Sequence, residues 1–420
     1  MHENTPPKRK ALLIAVQRPD VADAEVVESL GELRRLAKTL GLEVTGTHTQ
    51  RRPNFDPGAY VGSGKVEELK RLVEDGTADT ILVDHEISPS QARNLENATG
   101  AVVMDRTAVI LEIFHRHARS RTARAQVEIV RLQYMAPRLR EQGAGRDRQR
   151  GGIGGKGAGE SHLELDRRKL RDRIAELTTE LSSLEEERRT QRARRQKLAR
   201  TALVGYTNAG KSTLMRALTG SEVYVADKLF ATLDTTVRTL VPETRPRILV
   251  SDTVGFIKNL PHDLVASFKS TLAEALEASL LAHLVDASDP GFERQLEVTA
   301  EVLAEIGAGE VSRLLVFNKI DRVGDQAARA RHADMLRERW PEAIVMSAKS
   351  ESDVRQFHAT LEAFFTRDLV EAELRIPWNR QQLRAAIFTD CQVLEERAEP
   401  DAAVFRVKAH PDTIARLGGE

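Results

Sequence analysis

Short apolar runs alternate with amphipathic stretches over residues 10–105. The runs ALLIAV, EVTGTH, TILVD and AVVMD predict strands, and stretches such as VVESLGELRRLAKTLG repeat their apolar positions at helical spacing. Strands that alternate with helices in this way form a mainly parallel sheet. We therefore expect an N-terminal α/β subdomain over residues 1–105.

The same alternation returns at Thr201. The runs TALVG, VRTLV, RILVSDT, LLAHLVDAS, RLLVFNKID and AIVMSAK predict strands of a doubly wound sheet over residues 201–368. Residues 369–420 carry ELRIPW, a helical stretch near 380–388 and a hairpin pattern in CQVLEERAEPDAAVFRVKA. This segment predicts a small C-terminal α+β appendage. Because strands alternate with helices in both larger regions, we assign the chain as a whole to the α/β class.

Between the two alternating regions, residues 106–200 have a helical pattern. It runs from Thr107 to about Ala136, and Pro137 is expected to end or kink the helix. A glycine-rich stretch at 141–160 separates it from a seam with heptad spacing, which predicts an antiparallel hairpin that reaches roughly 45 to 60 Å. The seam consists of Leu163, Leu170, Leu177 and Leu184, with Ile174 and Leu181 interleaved.

Composition and charge limit the setting of the protein. The 420 residues are 41% hydrophobic and include one cysteine, Cys391, while no apolar run is long enough to span a bilayer and MHENTPPKRK lacks a signal-peptide core. We expect a cytoplasmic protein and a monomer. The net charge is zero, but residues 116–200 hold 23 Lys and Arg against 12 Asp and Glu. Such a basic segment favours a polyanion as partner, and a solvated, charge-laced helix pair explains it equally well.

Two glycine-rich loops resemble phosphate-binding loops. GYTNAGKS (205–212) fits the pattern G-x-x-x-x-G-K-[ST] between a predicted strand and helix, so that Lys211 would meet β- and γ-phosphate oxygens and Ser212 would bind Mg²⁺. GGKGAGES (154–161) has Glu160 in place of the lysine and no strand before it, so it is not expected to hold a nucleotide. YVGSGKVEEL (60–69) lacks the full spacing and predicts only the start of a helix.

Three further motifs follow predicted strands in the order of a guanine-nucleotide switch. In DTVG, Asp252 is placed to hold Mg²⁺ through water and the Gly255 N–H to meet the γ-phosphate. In NKID, Asp321 would accept two hydrogen bonds from guanine, and in SAK the Ala348 N–H would meet guanine O6. The predicted nucleotide contacts are Gly205, Asn208, Ala209, Gly210, Lys211, Ser212, Thr213, Asp252, Gly255, Asn318, Lys319, Asp321, Ser347, Ala348 and Lys349.

Together these segments resemble the HflX family of ribosome-associated GTPases. The resemblance runs through YVGSGKVEEL, AQVEIVRLQYMAPRL, GGIGGKGAGESHLELDRR, GYTNAGKST, LFATLD and DTVGFI. It implies binding to the large ribosomal subunit, and it makes LFATLD the first switch, with Thr232 as its Mg²⁺ and γ-phosphate residue. Family members usually read GTRGPGETQLE and LDPTTR where this chain has GGKGAGESHLE and LDTTVR.

Two positions bear on the chemistry. Phe256 follows the DTVG glycine where many GTPases have a water-orienting glutamine, so intrinsic hydrolysis, with Lys211, Thr232 and Gly255 as catalytic groups, is expected to be slow until a partner completes the site. Asn208 lies where related GTPases hold K⁺, and an amide that stabilises the loop explains it equally well.

The expected function is a GTP-driven ribosome factor that splits or rescues stalled ribosomes. Aromatic residues make up only 4% of the chain, so phosphate contacts rather than base stacking are expected to dominate RNA binding. The alternatives are a GTP switch that regulates a protein partner through the coiled coil, and an NTP-dependent RNA remodeller. The expected RNA contacts at the hairpin tip are Arg146, Arg148, Arg150 and Lys156.

Overall fold

A computed structural model describes residues 9–143, 162–193, 199–220, 229–230, 232–258, 260, 264 and 274–418. The chain divides into two compact units. The N-terminal unit comprises residues 1–188 with 226–233 and 259–268, and the C-terminal unit comprises residues 189–225, 234–258 and 269–420. None of the helices in the described ranges combines the length and the apolar character needed to cross a bilayer.

The N-terminal unit contains a four-stranded parallel sheet in the order β2-β1-β3-β4. Residues 11–16 of the first strand are buried, because helices cover both faces of a parallel sheet. The YVGSGK segment begins a helix, as predicted. The elements are β1 (Lys10–Gln17), α1 (Asp23–Leu40), β2 (Glu43–Arg51), α2 (Ser63–Glu74), β3 (Thr80–Val83), α3 (Pro89–Thr99) and β4 (Val102–Asp105).

Three helices follow the sheet: α4 (Arg106–His117), α5 (Arg121–Gly143) and α6 (His162–Ala193). The helical stretch predicted from Thr107 is thus two helices. Of the two effects predicted for Pro137, the end of the helix is wrong, because α5 continues to Gly143. Side chains on both sides of the proline bind Asp105, since the Tyr134 hydroxyl donates to Oδ1 at 2.7 Å and Arg138 to Oδ2 at 2.9 Å. These bonds hold this turn of the helix in place.

The predicted heptad seam packs α6 against α5. Leu177 is buried in a cluster with Ala125 and Ile129, and partly buried apolar side chains surround them. This packing is consistent with an antiparallel helical hairpin. At a rise of 1.5 Å per residue, the 32 residues of α6 extend about 48 Å. The surrounding side chains are Leu132, Ile174 and Leu181.

The C-terminal unit contains a six-stranded sheet in the order β10-β9-β8-β5-β7-β6, in which only β6 is antiparallel to its neighbour. This is the predicted doubly wound sheet, so the fold class is confirmed. Its elements are β5 (Ala199–Gly205), α7 (Lys211–Thr219), β6 (Thr236–Thr239), β7 (Ile248–Asp252), β8 (Leu280–Asp286), α8 (Phe292–Glu305), β9 (Arg313–Asn318), α9 (Gln326–Arg339), β10 (Ile344–Val345) and α10 (Glu351–Thr366).

A buried histidine lies in the middle of β8. His283 is 2% exposed, and within the described ranges its Nε2 atom has no hydrogen-bond partner. Burial, together with the positive charges of Arg313 and Lys211, lowers its pKa to about 3. The imidazole is therefore neutral at physiological pH.

The last elements form a three-stranded antiparallel sheet in the order β11-β13-β12, with the predicted hairpin as β12 and β13. One face of this sheet packs on the two helices of the same segment. The other face carries charges of alternating sign: Arg406 lies between Glu371 and Glu395, and Arg397 pairs with Glu373. The elements are β11 (Val370–Pro377), α11 (Gln382–Asp390), β12 (Gln392–Ala398), β13 (Ala402–Ala409) and α12 (Pro411–Gly418).

Candidate nucleotide-binding site

The GYTNAGKS loop joins β5 to α7 at the carboxyl edge of the six-stranded sheet. Two of its glycines are required by geometry. Gly205 has φ +142° and a Cβ there would lie 2.2 Å from the Leu284 carbonyl oxygen, while Gly210 has φ +99° and a Cβ would lie 2.2 Å from the Asn318 amide. The sequence pattern therefore reflects a tight loop that larger residues would disrupt.

Lys211 begins α7 and lies under this loop. Its ammonium donates to the carbonyl oxygens of Gly205 at 3.0 Å and Tyr206 at 2.8 Å. Burial lowers the pKa of Lys211 to about 8, although the nearby Asp252 carboxylate acts in the opposite direction. Additional negative charge near this ammonium, such as that of a phosphate, would favour its protonated form.

Ser212 and Asp252 face each other across the end of the sheet. The Ser212 hydroxyl donates to Asp252 Oδ2 at 2.7 Å, and Asp252 is fully buried at the end of β7. Both side chains offer oxygen atoms, which are the ligands that Mg²⁺ prefers. The structure thus brings together Ser212, which is predicted to bind the metal directly, and Asp252, which is predicted to bind it through water.

The DTVGF segment lies directly against the phosphate loop. A Cβ at Gly255 would come 2.8 Å from Thr207 Cα and 3.0 Å from Lys211 Nζ. The next residue, Phe256, is 1% exposed. The position that a water-orienting side chain would occupy is therefore filled by an aromatic ring in the core.

The NKID and SAK motifs meet at the ends of β9 and β10. Asn318 is buried, donates through Nδ2 to the Ala209 carbonyl at 2.9 Å and accepts at Oδ1 from the Ala348 N–H at 2.9 Å. The Ser347 hydroxyl donates to Asp321 at 2.7 Å, and Lys349 Nζ lies 3.9 Å from the same carboxylate. Asn318 thus connects three loops that are far apart in the sequence.

Two carboxylates that the sequence analysis missed stabilise these loops. Asp286, at the end of β8, pairs with Lys319 Nζ at 2.8 Å, and the same ammonium donates to the Asn208 carbonyl. Asp353 accepts from the Ser347 N–H at 2.8 Å. The S-x-x-D spacing at the start of α10 is a helix-start signal that identifies Asp353, whereas no short pattern identifies Asp286.

The first-switch segment is described only in part. Phe230 belongs to the N-terminal unit, where its ring makes an edge contact with Phe114 at 4.5 Å and its carbonyl oxygen lies 2.7 Å from His117 Nδ1. The Leu229 N–H donates to Thr39 Oγ1 at 3.2 Å. Thr232 lies two residues further along, in the same unit.

Of the remaining predicted positions, one lies in α7 and the others belong to the glycine-rich tip. Thr213 lies in the first turn of α7, next to Ser212. The whole GGKGAGES loop, including Glu160, lies outside the described residues. The predicted RNA contacts Arg146, Arg148, Arg150 and Lys156 also lie outside them.

Three family models match consecutive parts of the chain. They are described as GTP-binding GTPase N-terminal over residues 27–115, GTP-binding GTPase Middle Region over residues 117–195, and 50S ribosome-binding GTPase over residues 200–319.

Curated relatives and a solved structure agree with these matches. The GTPase HflX of Gluconacetobacter diazotrophicus is 52% identical over 99% of this chain and 98% of its own length. The GTPase HflX of Escherichia coli is 39% identical over 90% of this chain and 88% of its own. The complex of SsGBP with GDP has a TM-score of 0.50 at 24% identity, covering 84% of this chain and 99% of that chain, which supports the fold.

Proposed function

Because the chain belongs to the HflX family of GTPases, we propose that it is a GTP-driven factor that acts on the large ribosomal subunit. In the GTP state it binds the subunit and splits or rescues stalled ribosomes, and hydrolysis releases it. The observation that carries the proposal is the match of residues 200–319 to a family described as 50S ribosome-binding GTPase.

The nucleotide lies along the carboxyl edge of the six-stranded sheet in this proposal. The phosphate loop and Lys211 hold the phosphates, and Asp321 reads the guanine edge by accepting from N1 and N2. The position of Ser347 and Lys349 beside the Asp321 carboxylate supports this role, because both help to orient it. The Ala348 N–H donates to Asn318 Oδ1 in this structure, so its predicted contact with guanine O6 would replace that bond.

GTPases of this family use Mg²⁺, and the donor atoms here fit that ion. Ser212 and, from the first switch, Thr232 would bind the metal directly, while Asp252 would bind it through water. Bound Mg²⁺ would neutralise charge that develops on the β- and γ-phosphate oxygens. The Asn208 side chain either stabilises the loop or binds K⁺, and a hydrolysis rate that depends on K⁺ would assign it the cation.

Hydrolysis depends on the ribosome in this proposal. Phe256 is buried and has no polar side-chain atom, so it does not orient the attacking water. A group from ribosomal RNA completes the site, while Lys211 and the Gly255 N–H stabilise the transferred phosphoryl group. The expected result is a low rate for the isolated protein and a large increase when large subunits are added.

Cosedimentation tests the partner. The protein loaded with a non-hydrolysable GTP analogue is expected to pellet with large subunits, and RNase treatment of the subunits is expected to abolish this. Binding that survives RNase would favour the second candidate, a GTP switch that acts on a protein through the helical hairpin. ATP turnover coupled to RNA unwinding would instead favour the RNA remodeller.

Salt dependence tests the basic arm. If Arg146, Arg148 and Arg150 contact RNA phosphates, the triple alanine variant is expected to bind subunits more weakly and with a flatter dependence on salt, because fewer counterions are released. GTP affinity without ribosomes is expected to stay the same. Parallel salt slopes for the wild type and the variant would contradict RNA contact by these residues.

A further inference from the structure

The phosphate loop and the second switch, which is the segment 252–258 that begins with DTVG, are joined by their main chains. Tyr206 and Phe256 form a parallel bridge, in which the Thr207 N–H donates to the Phe256 carbonyl at 2.7 Å and the Phe256 N–H donates to the Gly205 carbonyl at 3.1 Å. This Tyr206–Phe256 bridge lies beyond the carboxyl ends of β5 and β7. The pairing of the two strands thus continues into the two loops that face the phosphates.

Tyr206 also binds the second switch through its side chain. The ring is largely buried, and its hydroxyl accepts the Lys258 N–H at 2.6 Å. The phosphate loop therefore holds the second switch at two points, by the main chain of Gly205 and Thr207 at Phe256 and by the Tyr206 hydroxyl at Lys258. Between these points Phe256 and Ile257 are buried, so this stretch has little freedom to move while both points are held.

The bridge lies next to the backbone that a γ-phosphate would contact. Thr207 belongs to the loop whose N–H groups surround the phosphates, and here its N–H is used by Phe256. Gly255, whose N–H meets a γ-phosphate in the proposed site, packs against Thr207 Cα and Lys211 Nζ. Of the two nucleotides, only a triphosphate carries the γ-phosphate that would compete with this packing of Gly255.

We propose that Tyr206 is a positioning residue that sets the preference between GTP and GDP by holding the second switch against the phosphate loop. The hydroxyl bond to Lys258 stabilises the bridged state, and a triphosphate binds at the expense of that state. A ligand shifts such an equilibrium only by its differential affinity for the two states. Removing the hydroxyl bond therefore favours GTP relative to GDP. This inference rests on the nucleotide site proposed above and not on the ribosome.

The test compares Tyr206→Phe with the wild type in the absence of ribosomes. The variant keeps the ring and loses one hydrogen bond, so the ratio of the Kd for a non-hydrolysable GTP analogue to the Kd for GDP is expected to fall about three- to tenfold. A general loosening of the loop would weaken both nucleotides together and leave the ratio unchanged. An unchanged or increased ratio would overturn the proposal.

Tyr60→Phe is the matched control. Tyr60 is also buried, and its hydroxyl also accepts a main-chain N–H, that of Val16 at 2.9 Å, but it lies in the N-terminal unit. Its variant is expected to keep the wild-type ratio, and an equal shift in both variants would overturn the role of Tyr206. Lys211→Ala distinguishes an error in the nucleotide site from an error in the role of Tyr206. If it binds nucleotide like the wild type, the site itself is wrong, and if it loses binding while Tyr206→Phe keeps the ratio, only the role of Tyr206 is wrong.

Discussion

Replacing Asn318 by alanine is expected to weaken GDP and GTP alike. The side chain makes two buried hydrogen bonds, to the Ala209 carbonyl in the phosphate loop and to the Ala348 N–H in the SAK loop. Leaving a buried polar group without its partner costs about 1–3 kcal/mol. The two bonds together therefore contribute about 2–6 kcal/mol to the ordered arrangement of the three loops.

Only the part of this free energy that orders the site for the nucleotide is lost from binding. If a loss of about 2 kcal/mol falls entirely on binding, the Kd rises roughly 30-fold. Both nucleotides are affected equally, because the base and the β-phosphate are common to them. Asn318→Asp keeps the acceptor for Ala348 but places an oxygen against the Ala209 carbonyl, so it is expected to fall between alanine and the wild type or to match alanine.

Isothermal titration with GDP and with a GTP analogue measures both affinities. Asn94→Ala is the control, because Asn94 also donates from Nδ2 to a main-chain carbonyl at 2.9 Å, but at the surface of the N-terminal unit. It is expected to bind like the wild type, and thermal unfolding checks that each variant is folded. A Kd for Asn318→Ala within about threefold of the wild type would show that the two Asn318 hydrogen bonds do not order the site for the nucleotide.

Three further outcomes are expected. Asp321→Asn should lose GTP affinity and gain affinity for xanthosine triphosphate, since the amide can pair with xanthine O2, and unchanged GTP binding would remove Asp321 from the base site. Lys211→Ala should abolish binding or turnover, while Lys156→Ala and Glu160→Ala should leave titrated GTP affinity intact; a loss with Glu160→Ala equal to that with Lys211→Ala would argue against a single nucleotide loop. His283 has a folded pKa far below its unfolded value of about 6.5, so the unfolded chain binds the extra proton and stability falls as pH drops from 6.5 towards 3. The fall is about 2 kcal/mol between pH 6.5 and 5, and His283→Leu should lessen it in urea unfolding at pH 7.5 and 5; equal pH dependence in both proteins would contradict a buried neutral imidazole.

The strands and the loop motifs could be predicted because their signals are local. A buried parallel strand requires a continuous apolar run, and the glycines of GYTNAGKS mark a loop that has no room for a Cβ. The motifs follow strands, and parallel strands place their carboxyl ends on one edge of a sheet. A shared edge for the motifs therefore followed from the sequence, whereas their order along it did not, because β5 lies between β8 and β7.

The remaining features depend on contacts between distant segments. The pairing of Asp286 with Lys319 joins the ends of two neighbouring strands and has no short sequence signature. The continuation of α5 through Pro137 depends on Asp105, more than 30 residues earlier, whose carboxylate accepts from both flanking turns. The bridge between the phosphate loop and the second switch is likewise formed by main-chain atoms, and such pairing leaves no residue-type pattern in the sequence.

The charged outer face of the three-stranded sheet has a consequence for self-association. Strands β11 and β12 are its two edges, and an edge strand presents main-chain N–H and C=O groups on which another chain can add a strand. Here Glu371 and Glu373 on one edge strand and Glu395 and Arg397 on the other engage charges of the same sheet. A strand from a second molecule would have to bury or displace these pairs as it docked. We therefore expect these charges to disfavour edge-to-edge association of the appendage, and high salt, which screens exposed charges, to weaken that effect.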